Sequence, residues 1–89
     1  MLFRSEHSST ADSYHSLGIT QHAQGDFTAA LQSTQRALDI KLKLFGEEHW
    51  SIAESYFELE MMQKAQGDDV SALQSAQRAH DIIHKLFGE

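Results

Sequence analysis

The sequence predicts an all-α protein: two stacked antiparallel helix-turn-helix repeats. Three features of the 89 residues predict it. Shifting the chain by 42 places lays His7 to Glu47 on His49 to Glu89 with 25 of 41 pairs identical. Apolar residues recur every three or four positions, the spacing of one buried helical stripe, and alternating strand patterns are missing. Single Gly-Asp pairs then sit where one helix must stop and the next begin. A fixed period near 40 residues marks stacked units, each unable to bury its apolar face alone.

The elements follow in chain order. Residues 1–8 read as the tail of a preceding repeat, because Leu2-Phe3 and Glu6-His7 match Leu44-Phe45 and Glu48-His49. The chain is therefore expected to be a piece of a longer array. Repeat 1 spans 9–48, with helices at about 9–24 and 27–45, and repeat 2 spans 49–89, with helices at about 51–66 and 69–87. Ser9 and Ser51 each precede an acid by three residues, Asp12 and Glu54, the spacing of a capping box. Gly25 and Gly67 suit a helix C-terminus, and Asp26 and Asp68 can cap the helix that follows. In that second helix Phe27, Ala30, Leu31, Thr34, Ala37, Leu38, Lys41, Leu42 and Phe45 form one stripe. Val70, Leu73, Ala76, Ala79, Ile83, Leu86 and Phe87 are expected to repeat it. Tyr14, Leu17, Tyr56 and Leu59 are expected in the core, and Trp50 against the Leu44-Phe45 end of the preceding helix.

Composition excludes several functions. With 7 Lys+Arg against 13 Asp+Glu the net charge is −6, so the basic patch of a nucleic-acid or anionic-membrane binder is missing. The absence of cysteine removes disulfides, thiolate metal sites and a thiol nucleophile. No apolar run approaches the roughly 20 residues of a membrane span, and Met1 to Thr10 lacks the apolar stretch of a signal peptide. The expected compartment is the cytoplasm. Serines are scattered through caps and helix surfaces, and glycines occur singly, so neither a catalytic triad nor a phosphate loop is present. The chain reads as non-enzymatic and as needing no cofactor.

The pattern Tyr14-x-x-Leu17-Gly18, Gly25-Asp26-Phe27, Ala30-Leu31 and Ala37-Leu38 resembles the tetratricopeptide repeat. The period of 42 with Leu-Phe-Gly-Glu-Glu-His after the second helix is similar to its long form, found in kinesin light chains and nephrocystin-3-like proteins. The resemblance implies a right-handed superhelix whose first helices line a concave surface that holds a peptide or partner segment. It places small residues where helices approach closely: Gly18 and Ala30 within the unit, Ala37 where the next unit stacks. The sequence departs from the pattern at Glu60, Asp69 and His80, which replace Gly18, Phe27 and Leu38 of the first unit. His15-Ser16 and Phe57-Glu58 stand where the long form carries an Asn pair. Ser8 and Trp50 stand where Pro follows the linker histidine.

Candidate sites follow. The inward face implied by the resemblance carries Asp12, His15, Ile19 and His22 in unit one, and Glu54, Phe57, Met61 and Lys64 in unit two. An apolar centre of Ile19, Phe57 and Met61, rimmed by Asp12, Glu54 and Lys64, suits a short helical or extended protein segment. The alternative is a structural role in a homo-oligomer, a dimer or more. Tyr14 and Leu17 at one end, Trp50 at the linker, and Ile82, Ile83, Leu86 and Phe87 at the other end would then pair between copies, by stacking or by hairpin exchange. His80 and His84 are four apart and geometrically able to chelate a metal. They align with Leu38 and Leu42, however, so they read as substitutions on a packing helix and no metal site is assigned.

Overall fold

A computed structural model describes residues 8–88. Of the tail assigned to residues 1–8, residues 1–7 lie outside the described residues, and Ser8 opens the first helix. Four helices follow: α1 (Ser8–Ala23), α2 (Phe27–Phe45), α3 (Trp50–Ala65) and α4 (Asp69–Phe87). Among the described residues there is no strand. α1 packs on α2, α3 on α4, and the second hairpin stacks on the first through α2 and α3. The smallest extent is only 15 Å, so few side chains can be sealed from solvent.

Caps set the helix limits. Asp26 accepts from Ala29 N at 3.4 Å and Asp68 from Ser71 N at 3.1 Å, satisfying first-turn donors that have no intrahelical acceptor. The capping boxes predicted from Ser9 and Ser51 do not set the other two starts. Both serines lie inside their helices, and α3 is capped by His49, whose Nδ1 accepts from Ser51 N at 3.1 Å. His49 is extended, at φ −139 and ψ 139, and so can hand its ring nitrogen to the first turn. Gly46, at φ 78, ends α2 in a backbone region that L side chains rarely adopt.

α2 is buried on two sides. Ser33 Oγ lies 2.7 Å from Gln21 Oε1 on α1, and Ser75 Oγ is held the same way by the side chain of Gln63 on α3. Toward α3, Leu38 joins Ile52, Ala53, Leu59, Ala79 and Ile82 in the core that bridges the hairpins, with Leu31, Leu42, Tyr56 and Ile83 packed around it. Gly18 marks the tightest crossing: a Cβ there would stand 2.7 Å from Thr34 Oγ1 and 3.2 Å from the Ala30 carbonyl. In the second unit the same two positions hold Glu60 and Ala76. The larger residue on one helix is thus matched by the smaller on the other.

Three expectations need correcting. The buried stripe of α4 is Ala72, Ser75, Ala79 and Ile82, whereas Val70, Leu73, Leu86 and Phe87 are exposed. Leu73 corresponds to Leu31, which packs against the core between the hairpins, and no described helix covers α4 there; Thr28, Leu44 and Phe45, the counterparts of Val70, Leu86 and Phe87, are exposed on α2 as well. Leu17 is 45% exposed for the matching reason at the other end, while its counterpart Leu59 is buried. Trp50 is 57% exposed instead of packed on Leu44-Phe45. As the first residue of α3 it projects past the end of α2, and His49 takes the inner place, stacked 4.4 Å from the Phe45 ring.

Candidate functional site

The face expected to hold a partner divides into three parts. At the N-terminal ends of α1 and α3, the carboxylates of Asp12 and Glu54 line a cleft of about 300 Å³ whose walls include Phe45, His49 and Trp50. The stacked Phe45, His49 and Trp50 rings give that cleft an aromatic side. Further along, Ile19, Phe57 and Met61 are each about half exposed, with Lys64 bound to Glu60 at 3.4 Å. Phe57 also turns toward a separate groove of about 410 Å³ formed with Glu60, Ala76 and His80.

His15 and His22 do not face an open groove. His22 is half-buried, its ring 5.0 Å from Phe27 on α2. His15 Nδ1 lies 3.0 Å from Glu58 Oε1, and both side chains are largely covered at the seam between α1 and α3. Burial raises the pKa of the Glu58 carboxyl above its ordinary value, and the Glu54 charge adds to that. The nearby charges of His15 and Lys41 pull the other way. Lys41 is 6% exposed, and its Nζ donates to Ser55 Oγ at 3.4 Å. The periodic stripe of α2 included Lys41 but carried no sign of its ammonium as part of this polar joint. Glu58 and His49 were missed as well. Their partners come from other helices or from cap geometry, and a repeat alignment carries neither.

The residues assigned to self-association are also divided. Ile82 is 7% exposed and belongs to the chain's own core. Ile83 is half-buried against the same core, whereas Leu86 and Phe87 are exposed. Tyr14 is half-buried with the Arg36 guanidinium 5.3 Å from its ring, a pairing repeated by Arg78 over Tyr56 at 5.4 Å. His80 and His84 stack with ring centroids 6.3 Å apart. Among the described residues no group of three or more His, Cys, Asp or Glu side chains is arranged to hold a metal ion.

Two antiparallel helical hairpins, stacked in sequence with small residues at their crossings, define a helical-repeat solenoid. The tetratricopeptide repeat family matches residues 9–84, and the chain belongs to that family. No curated protein sequence matches it. The family generally mediates protein–protein interaction, and its domains are generally non-catalytic scaffolds. No described helix is long and apolar enough to cross a membrane.

Proposed function

We propose that the chain is a protein-interaction module of the long tetratricopeptide form, the 42-residue repeat of kinesin light chains and nephrocystin-3-like proteins, working in the cytoplasm without a cofactor. It holds a partner segment along the inner helices. The observation that carries this reading is the cleft where Asp12 and Glu54 meet the Phe45, His49 and Trp50 rings, with exposed Ile19, Phe57 and Met61 on the same helices. Lys41 also lines the cleft with its ammonium bound to Ser55, and two carboxylates beside aromatic rings outweigh that one charge in favour of a cationic side chain, by charge and by the ring quadrupole. The segment that fits therefore carries Lys or Arg a few residues from apolar anchors.

Selection of a random peptide library on the folded chain tests this. Enriched peptides should combine a basic residue with apolar anchors, and both Phe57→Ala and the pair Asp12→Lys/Glu54→Lys should weaken them about tenfold or more, about 1.4 kcal/mol. Unchanged affinity in both variants, with helicity intact by circular dichroism, would remove the inner face from consideration.

A second reading, self-association by stacking or hairpin exchange, is favoured by the exposure of Leu17 at one end and of Val70, Leu73 and Phe87 at the other. Apolar side chains gathered on a solenoid's end faces are the usual mark of a contact surface.

A further inference from the structure

The joint between the two hairpins is a template for a joint between two copies. Where α3 lies on the first hairpin, three side-chain pairs meet. Thr34 Oγ1 donates to Met62 Sδ at 3.3 Å, Lys41 Nζ donates to Ser55 Oγ at 3.4 Å, and His15 Nδ1 lies 3.0 Å from Glu58 Oε1. Moving the three receiving positions forward by one repeat gives Ala76, Ile83 and Phe57. Moving the three inserted positions back gives Thr20, Ser13 and Ser16. Phe57 and the three α1 positions are exposed, and Ala76 and Ile83 are half-buried. Phe57 and Ala76 line the 410 Å³ groove between α3 and α4, and Ser13, Ser16 and Thr20 line a shallow depression of about 660 Å³ along α1.

Resting on the self-association reading, we propose that the α1 face of one copy seats in the α3–α4 groove of another, so that copies stack head to tail in the register of the internal repeat. The partner is a second copy of this chain. The three translated pairs are Ala76 with Thr20, Ile83 with Ser13 and Phe57 with Ser16. Each sets an apolar side chain against a small hydroxyl residue, and none opposes like charges or two bulky groups. At the first pair the polar partner has changed sides. Thr34 against Met62 becomes Ala76 against Thr20, so Thr20 supplies the hydroxyl that Ala76 lacks. Glu60 and His80, which replace Gly18 and Leu38 in the groove, likewise gain the neighbouring serine and threonine hydroxyls as hydrogen-bond partners. A tail-to-tail pairing would instead bring together two grooves that each carry Glu60 and Asp81. The contact is heterologous, leaving one free head and one free tail at every stage, and it extends rather than closes.

Two blocked variants test the polarity: Leu17→Glu on the head and Leu73→Glu on the tail. Both side chains are exposed, at 45% and 60%, so helicity should survive. Light scattering is read after size exclusion at pH 8 in about 0.15 M salt, which screens the −6 of each copy. Between about 5 and about 500 μM, the wild-type mass should climb from near 10.0 kDa past twice that value as mass action favours association. Each variant alone should stay at 10.0 kDa, and an equimolar mixture should form a species of twice that mass that grows no further, because its only free ends are blocked. A wild-type chain at 10.0 kDa throughout overturns both the proposal and the self-association reading. Wild-type assembly with a mixture that stays monomeric, or with either single variant still assembling, overturns the head-to-tail register and leaves self-association standing.

Discussion

Replacing Gly18 by alanine sets two effects of opposite sign against each other. In an exposed helix the change would stabilise by about 0.8–1 kcal/mol, because Gly loses more backbone freedom on folding than Ala. Here the new Cβ would stand 2.7 Å from Thr34 Oγ1 and 3.2 Å from the Ala30 carbonyl. Thr34 cannot swing aside freely: it is buried, and its hydroxyl donates to Met62 Sδ. Overpacking of a tight crossing costs about 1–3 kcal/mol, so the clash wins and Gly18→Ala should destabilise by about 1 kcal/mol. In a domain of this size that lowers the melting temperature by roughly 4–8 °C. Thr34→Ala alone should lose about 1 kcal/mol with its hydrogen bond. The pair together reproduces the smaller α4 residue Ala76 opposite a Cβ, as in the second unit, and should lie within about 1 kcal/mol of wild type. Thermal melts followed by circular dichroism complete the double-mutant cycle. A rise in melting temperature for Gly18→Ala, or single effects that add to within about 0.5 kcal/mol, would refute the reasoning.

Three further outcomes follow from the linker and the seam. His49→Ala removes the acceptor for Ser51 N and the ring stacked on Phe45, and should cost about 1 kcal/mol, read as a lower melting temperature. Trp50→Pro should be tolerated or stabilise by about 0.4–1 kcal/mol, since Trp50 is the first residue of α3 and His49, at φ −139 and ψ 139, already has the extended backbone a following proline requires. Assembly that survives this change, in the same light-scattering series, favours stacking over hairpin exchange. For Glu58 the folded pKa lies above its unfolded value, so the folded state takes up the proton more readily. Stability therefore falls as pH rises from about 4.5 through the raised pKa, and recovers on acidification through the same window. Glu58→Gln, neutral at every pH, should melt higher than wild type at pH 7, and the difference should shrink as pH is lowered through that window. An equal offset at both ends of the window would contradict it.

What could be read from the chain was local or periodic. The repeat, the four helices and the Asp26 and Asp68 caps depend on residues within a few positions of each other or on a fixed shift, and both survive in one dimension. The misread stripe of α4 shows the limit. Ala72, Ser75, Ala79 and Ile82 face the hairpin partner, while Val70 and Leu73 lie on the stacking side, and in a solenoid both sides are apolar at helical spacing. Periodicity finds such a helix but cannot tell which stripe is covered. The sequence pointed to Ser51 as the cap, and His49 takes that role through an extended backbone that the residue types alone do not reveal. The division of the inner face was illegible for a different reason. His15 meets Glu58 because α1 and α3 lie side by side at one axial offset, a tertiary quantity that identities across the repeat do not encode.

The matched residues at the two crossings bear on how such a gene can change. Two coding segments this alike can misalign during recombination, adding or deleting repeats. An exchange at the Gln-Gly-Asp turns would join the first helix of one unit to the second helix of the other. One product would carry the glutamate of position 60 against the threonine of position 34, and the reciprocal product would carry glycine against alanine, with a void between them. An exchange within Gly46 to His49 passes both matched pairs intact. The foldable unit of inheritance is thus the whole hairpin, and the tolerated breakpoints lie in the short linker between hairpins.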